Sequence, residues 1–174
     1  MAGRRDKKRK IRERRKLLLI IIEGNNQTER IYFNKFKQRN SIIKIEIPWC
    51  KSVEAVKLVE YAITKAKEYD IDFAEGEKVW CVFDVDAKGD LELKRAKQLA
   101  DRAGIKMALS NPSFELWFLL HTEYYSTRPF SSNEDLLKEL KARFPVYKKK
   151  DHSMFKTLLP DQQQAIDKAK ELVK

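Results

Sequence analysis

Two cysteines and five glycines in 174 residues leave little room for several kinds of chemistry. Cys50 and Cys81 form no CxxC pair, so a disulfide scaffold or a cysteine zinc site is excluded, and both are expected to be reduced and structural, as suits a cytosolic protein. The glycines are dispersed, and no Gly-rich loop or Walker sequence is present to cradle a nucleotide's phosphates. Neither a Ser-His-Asp order nor a zinc-ligand spacing can be found. Long apolar runs are missing too: Leu17–Ile22 spans six residues, far short of a membrane helix. That run follows a basic start, as in a signal peptide, but it ends in Glu23 with no small-residue cleavage site, so neither secretion nor membrane insertion is expected.

What the chain has in excess is positive charge, and it is unevenly spread. Residues 1–16 hold ten Lys or Arg against Asp6 and Glu13, a net of +8 within a chain whose total is +11. Such an arm attracts polyanions through counterion release, with Arg4, Arg5, Lys7 and Lys8 as candidate nucleic-acid contacts. A solvated, poorly ordered terminus is the competing expectation.

Beyond the arm, two apolar runs deliver acids. Leu17–Ile22 runs into Glu23-Gly24, and Val79–Phe83 runs into Asp84-Val85-Asp86. Short runs rich in β-branched residues read as strands buried on both faces, and open α/β sheets bind ligands at the carboxyl ends of their strands. Glu23, Asp84 and Asp86 are therefore candidate ligands for a divalent ion, provided the second strand begins to turn so that its two aspartates converge. Carboxylate-held Mg²⁺ neutralises charge on the attacking and leaving oxygens of a phosphodiester, which points to metal-assisted phosphoryl chemistry. Gly24 is expected to keep the strand end open to substrate, since a β-carbon there would intrude.

The remaining pattern alternates. Thr28–Lys37 reads as a helix, with Asn26 and Glu29 spaced as a capping box; Glu29 is either that cap or a ligand to a second ion. Ile43–Ile47 alternates as an edge strand, Ser52–Tyr69 is helical, and Leu91–Ala103 is a helix capped by Asp90 and stopped by Gly104 before a strand at Ile105–Leu109. The implied fold class is α/β, an open, mostly parallel sheet flanked by helices with a helical C-terminal appendage. Asn111-Pro112 is expected to start a buried helix over Phe114–Leu120, with Asn111 as cap and Pro112 as first helical residue. Glu115 in its first turn is explained either by the helix dipole or by a metal or substrate role. His121, on the face of Phe114, Trp117 and Phe118, reads as a hydrogen-bonded core histidine. Asp135–Phe144 and Asp161–Val173 are the appendage's helices, with the basic loop Tyr147–His152 between them. Lys88 and the cluster Lys148, Lys149 and Lys150 are candidate phosphate contacts, against the plain alternative of solvated lysines.

Taken together, Glu23-Gly24, Thr28-Glu29, Tyr32-Phe33, Asp84-Val85-Asp86 and Ser110-Asn111-Pro112-Ser113-Phe114-Glu115-Leu116-Trp117-Phe118-Leu119-Leu120-His121 resemble the RloB-like family. The pairing of a strand-end Glu-Gly with a later DxD also resembles the Toprim domain of topoisomerases, primases and OLD-type nucleases. Tyr147 with Lys149 and the Ala165–Lys170 helix extend the likeness. The resemblance implies a Toprim-like core over 17–121, after a basic arm at 1–16 and before an appendage at 122–174. It also implies a cytoplasmic, Mg²⁺-dependent (Mn²⁺ as substitute) nuclease-like protein of prokaryotic phage defence and abortive infection, commonly accompanied by an ABC-type ATPase partner. By motif match, Glu23, Asp84 and Asp86 inherit the metal role, Glu29 does so by analogy with the second acidic position of OLD-type sites, and Glu115 lies in the family's most distinctive motif as a catalytic candidate. Two departures stand out: the loop Asn25-Asn26-Gln27 is one residue longer than the pattern and lacks its usual charged residue, and a terminal segment often carried by the family is expected to be missing. The competing function is a non-catalytic nucleic-acid-binding or assembly subunit of an ATPase-containing complex.

Overall fold

The apolar runs form the centre of the fold, seen in a computed structural model that describes residues 15–24, 26–37, 42–85, 89–123 and 130–172. Strands β1 (Lys16–Ile22), β2 (Ile43–Glu46), β3 (Lys78–Asp84) and β4 (Lys106–Ser110) make one sheet in the order β2-β1-β3-β4. Every pairing is parallel, with Ile22 opposite Val82 and Asp84 opposite Ser110. The two acid-bearing strands are thus the central pair, and the alternating strand β2 is an edge, as its sequence predicts.

Helices α1 (Gln27–Asn34), α2 (Ala55–Glu68) and α3 (Asp90–Arg102) connect the strands in turn. Alternation along the central strands divides their side chains between two layers. Leu19, Ile21, Val79, Cys81 and Phe83 pack on Leu58, Val59 and Ala62 of α2 and on Ala96 and Ala100 of α3, while Ile20, Ile22 and Val82 face Phe33 of α1 and Ile47. Both cysteines are free and buried there, and burial pushes the Cys81 thiol up to about 12, so it is inert packing. The strand β1 start is held by Glu77, a buried carboxylate that sequence reasoning missed: its Oε1 accepts from Leu17 N at 3.0 Å and its Oε2 from Asp72 N at 2.9 Å.

Helix ends show where local signals prevail and where tertiary contacts displace them. Gly104, at φ +70, ends α3 as expected, with Ile105 N donating to Ala100 O at 2.9 Å. Gly89, not Asp90, occupies the cap position of α3, and Asp90 is its first helical residue. The free N-terminus of α2 is met from another helix: Glu92 Oε1 of α3 accepts from Ala55 N at 2.5 Å.

The third part of the core joins the chain's two halves. Helices α4 (Glu115–Leu120), α5 (Asn133–Arg143), α6 (Met154–Leu158) and α7 (Gln162–Leu172) follow the sheet, with a short 3-10 turn at Leu159–Asp161. Their Phe118, Leu119, Leu136, Leu140, Met154 and Leu158 enclose Tyr32 of α1, so the appendage shares a hydrophobic cluster with the sheet unit. The expected start of α4 is corrected. The Asn111–Pro112 peptide is cis and lies in a turn, Phe114 takes the cap position, and the helix begins at Glu115. His121 is a core residue as expected: Nδ1 lies 2.8 Å from Trp117 O, its ring meets Trp117 edge-on at 4.7 Å, and burial lowers its basicity.

Candidate functional site

The parallel pairing of β1 with β3 sets their carboxyl ends side by side. Glu23 N donates to Val82 O at 3.1 Å, continuing the ladder one residue past β1, and Asp84 N donates to Glu23 Oε2 at 3.2 Å. The Glu23 carboxylate is therefore fixed over the end of β3, next to Asp84. The chain then turns at Gly24, whose φ is +46. The structure gives a reason for glycine there that the sequence did not show. A β-carbon would come within 3.1 Å of Val53 Cγ1, and the positive φ disfavours any other residue, so the backbone turn and the segment before α2 are by themselves reason enough for Gly24.

After the turn, α1 brings the next acid back to the same place. Asn26 occupies the cap position but makes no side-chain cap hydrogen bond, which corrects the capping-box expectation. Its amide Nδ2 instead donates to Glu29 Oε1 at 3.0 Å. Glu29 is only 3% exposed, and its carboxyl is pushed up to about 7, by burial first and by the negative Glu115 and Glu23 in addition, against the hydrogen bonds from its own backbone and Asn26.

Glu115 arrives from the other side. It is buried, and both oxygens receive hydroxyl donors: Ser113 Oγ gives to Oε2 and the Tyr147 hydroxyl to Oε1, each at 2.9 Å. Ser113 Oγ also lies 2.7 Å from Asn133 Oδ1 at the start of α5. Burial, together with the neighbouring Glu115 carboxylate, raises the Tyr147 phenol far above its usual range, which keeps it a donor.

These groups surround one polar cavity of about 340 Å³, lined by Glu23, Glu29, Asp84, Glu115, Lys149 and Lys150 together with Asn26, Gln27, Thr28, Ser113 and Asn133. Of the residues singled out in the sequence, the structure brings Glu23, Glu29, Asp84, Glu115 and Lys149 together. Lys148 is exposed and does not line the cavity. Asp86, Lys88, Arg4, Arg5, Lys7 and Lys8 lie outside the described residues. Lys150, the last of the Lys148–Lys150 cluster, lines the cavity as well. Ser113, Asn133 and Tyr147 were missed as site residues; Ser113 and Tyr147 stood inside quoted motifs, whereas nothing local distinguishes Asn133.

Among the described residues, no three His, Cys, Asp or Glu side chains are grouped closely enough to hold a metal ion. The donor chemistry nonetheless fits Mg²⁺, which takes hard oxygen ligands and is held by one or two carboxylates with water and substrate phosphates completing its shell; Glu23 and Asp84 are such a pair. No helix among the described residues is long and apolar enough to cross a membrane.

Fold and site together define a parallel α/β protein with an acidic pocket at the carboxyl ends of its two central strands, the architecture that the Toprim-like resemblance implies. The chain belongs to the RloB-like family, whose profile matches residues 18–174. No curated protein and no solved structure matches it.

Proposed function

We propose that the protein is a Mg²⁺-dependent nuclease that hydrolyses phosphodiester bonds of nucleic acid. The observation that carries this reading is the bond from Asp84 N to Glu23 Oε2, which fixes the Glu23 carboxylate at the end of the strand that carries Asp84, both residues lining one polar pocket. Glu23 and Asp84 would hold the ion, with Asp86 and Glu29 as further candidates. Bound there, a divalent ion supplies charge neutralisation on the attacking and leaving oxygens. The chain's own part is to hold those carboxylates in place, and its basic arm adds nonspecific attraction to the polyanion. Membership of the RloB-like family supports placing this activity in cytoplasmic phage defence beside an ABC-type ATPase.

The test is cleavage of labelled plasmid DNA, single-stranded DNA and tRNA with Mg²⁺ or Mn²⁺, comparing the intact protein with Asp84→Asn. Metal-dependent cutting that disappears in a normally folded Asp84→Asn supports the reading and names the substrate. Cutting that persists in the variant moves the chemistry elsewhere, and a protein that binds these nucleic acids without cutting any is a binding subunit rather than a nuclease.

A further inference from the structure

The carboxylates of the pocket come mainly from the parallel core, but its cations come from the appendage. Lys149 and Lys150 line the same cavity as Glu23, Glu29, Asp84 and Glu115. Neither lysine makes a hydrogen bond or an ion pair with any described residue, although lysines elsewhere close onto nearby acids, as Lys97 does on Asp101 at 2.5 Å and Lys65 on Glu68 at 2.5 Å. Two exposed lysines without a partner among the described residues thus line the cavity that four acidic residues also line, and an anion bound there would find cations not already engaged.

The backbone that carries these lysines is tied at both ends. Tyr147, immediately before the run, is buried among the side chains around Tyr32, with its ring 6.0 Å from that of Phe118 and its hydroxyl bonded to Glu115. Just after the run, Asp151 Oδ1 accepts from both Ser153 N and Ser153 Oγ at 2.7 Å, and Asp151 N donates to Lys148 O at 3.2 Å. Between the ties Lys150 has φ +69, a conformation that glycine adopts freely and other residues only at a cost. A position kept only for its turn would favour glycine.

We propose that Lys149 and Lys150 form a phosphate subsite opposite the carboxylates, with Tyr147 as its positioning residue through the bond to Glu115. The subsite takes a backbone phosphate of the nucleic acid, so the inference rests on the nucleic-acid reading above and assigns where the strand lies. Lys148, outside the cavity, has no part in it.

The test is binding of a short labelled single strand with Ca²⁺ in place of Mg²⁺, over a series of salt concentrations, with unfolding temperature measured alongside. Lys149→Gln and Lys150→Gly should each flatten the log K against log salt slope by about 0.7 and weaken binding about fivefold at 0.1 M salt, the effect of one lost phosphate contact. Lys150→Gly should do so without lowering the unfolding temperature, so that the lost affinity cannot be put down to a damaged turn, whereas a position kept only for its turn would lose no affinity. Tyr147→Phe, with both lysines present, should also flatten the slope, whereas a purely structural tyrosine would change stability alone. If the intact protein binds while the lysine variants keep its affinity and slope, the subsite is refuted and the nucleic-acid reading stands. If the intact protein binds no strand, that reading falls and the subsite with it.

Discussion

The side-chain amide of Asn26 donates to Glu29 Oε1 at 3.0 Å, so the residue placed to cap α1 holds a buried carboxyl instead. Glu29 consequently sits in the acidic pocket with its carboxyl raised from 4.5 to about 7. In EDTA the folded form keeps this proton at pH values where the unfolded chain has lost it. Stability from this group is therefore complete below about pH 4.5 and declines as pH rises through 7. Glu29→Gln should remove that decline and raise metal-free stability at pH 8 by on the order of 3 kcal/mol. Urea unfolding across pH reads it, and an unaltered pH dependence would contradict the assignment.

Gly24 should tolerate substitution poorly for reasons of backbone. Gly24→Ala is expected to cost about 1 to 2 kcal/mol through its positive φ, with Val53 adding to it, and Gly24→Asn less, since asparagine visits this region more readily. The double change Gly24→Ala with Val53→Ala should recover only the steric part. Equal stability of the alanine and asparagine variants would count against this account.

Glu77 holds the start of β1 to the loop before β3. Removing its carboxylate in Glu77→Ala leaves the amides of Leu17 and Asp72 without that acceptor, and should cost about 3 kcal/mol. Metal binding measured by calorimetry should be unchanged, because Glu77 lies at the opposite end of the strands from the pocket.

Leu140 lies in the cluster that Tyr32 and Phe118 share with the appendage. Leu140→Ala should cost about 2 to 5 kcal/mol and still unfold in one calorimetric transition. Two separated transitions would show instead that the appendage melts independently.

Much of the fold can be read from the chain because its signals are local. Runs such as Leu17–Ile22 and Val79–Phe83 have no stable home except a doubly covered strand, and Gly104 stops α3 as its chemistry dictates. The convergence of Glu23 with Asp84 follows from the same runs, since buried parallel strands share one carboxyl edge. In several places where expectation and structure part, a distant partner has intervened. Glu92 supplies a bond at the start of α2 from 37 residues away, and Val53 supplies part of the reason for Gly24. Tyr147 reaches Glu115 across 32 positions, and Ser113 reaches Asn133 across 20. No window of sequence contains such pairs. In Lys148-Lys149-Lys150 all three residues look alike in the sequence, yet Lys149 and Lys150 line the cavity and Lys148 does not.

Because the pocket is walled by residues as far apart as Glu23 and Lys150, it has a birth order. A chain emerging from the ribosome makes β1 first, gains the companion acid only when β3 inserts beside it, and acquires Tyr147 and the lysines last. Until then the growing polypeptide carries its acids at a half-built sheet edge, and the pocket is whole only once Lys150, 127 residues after Glu23, has been added.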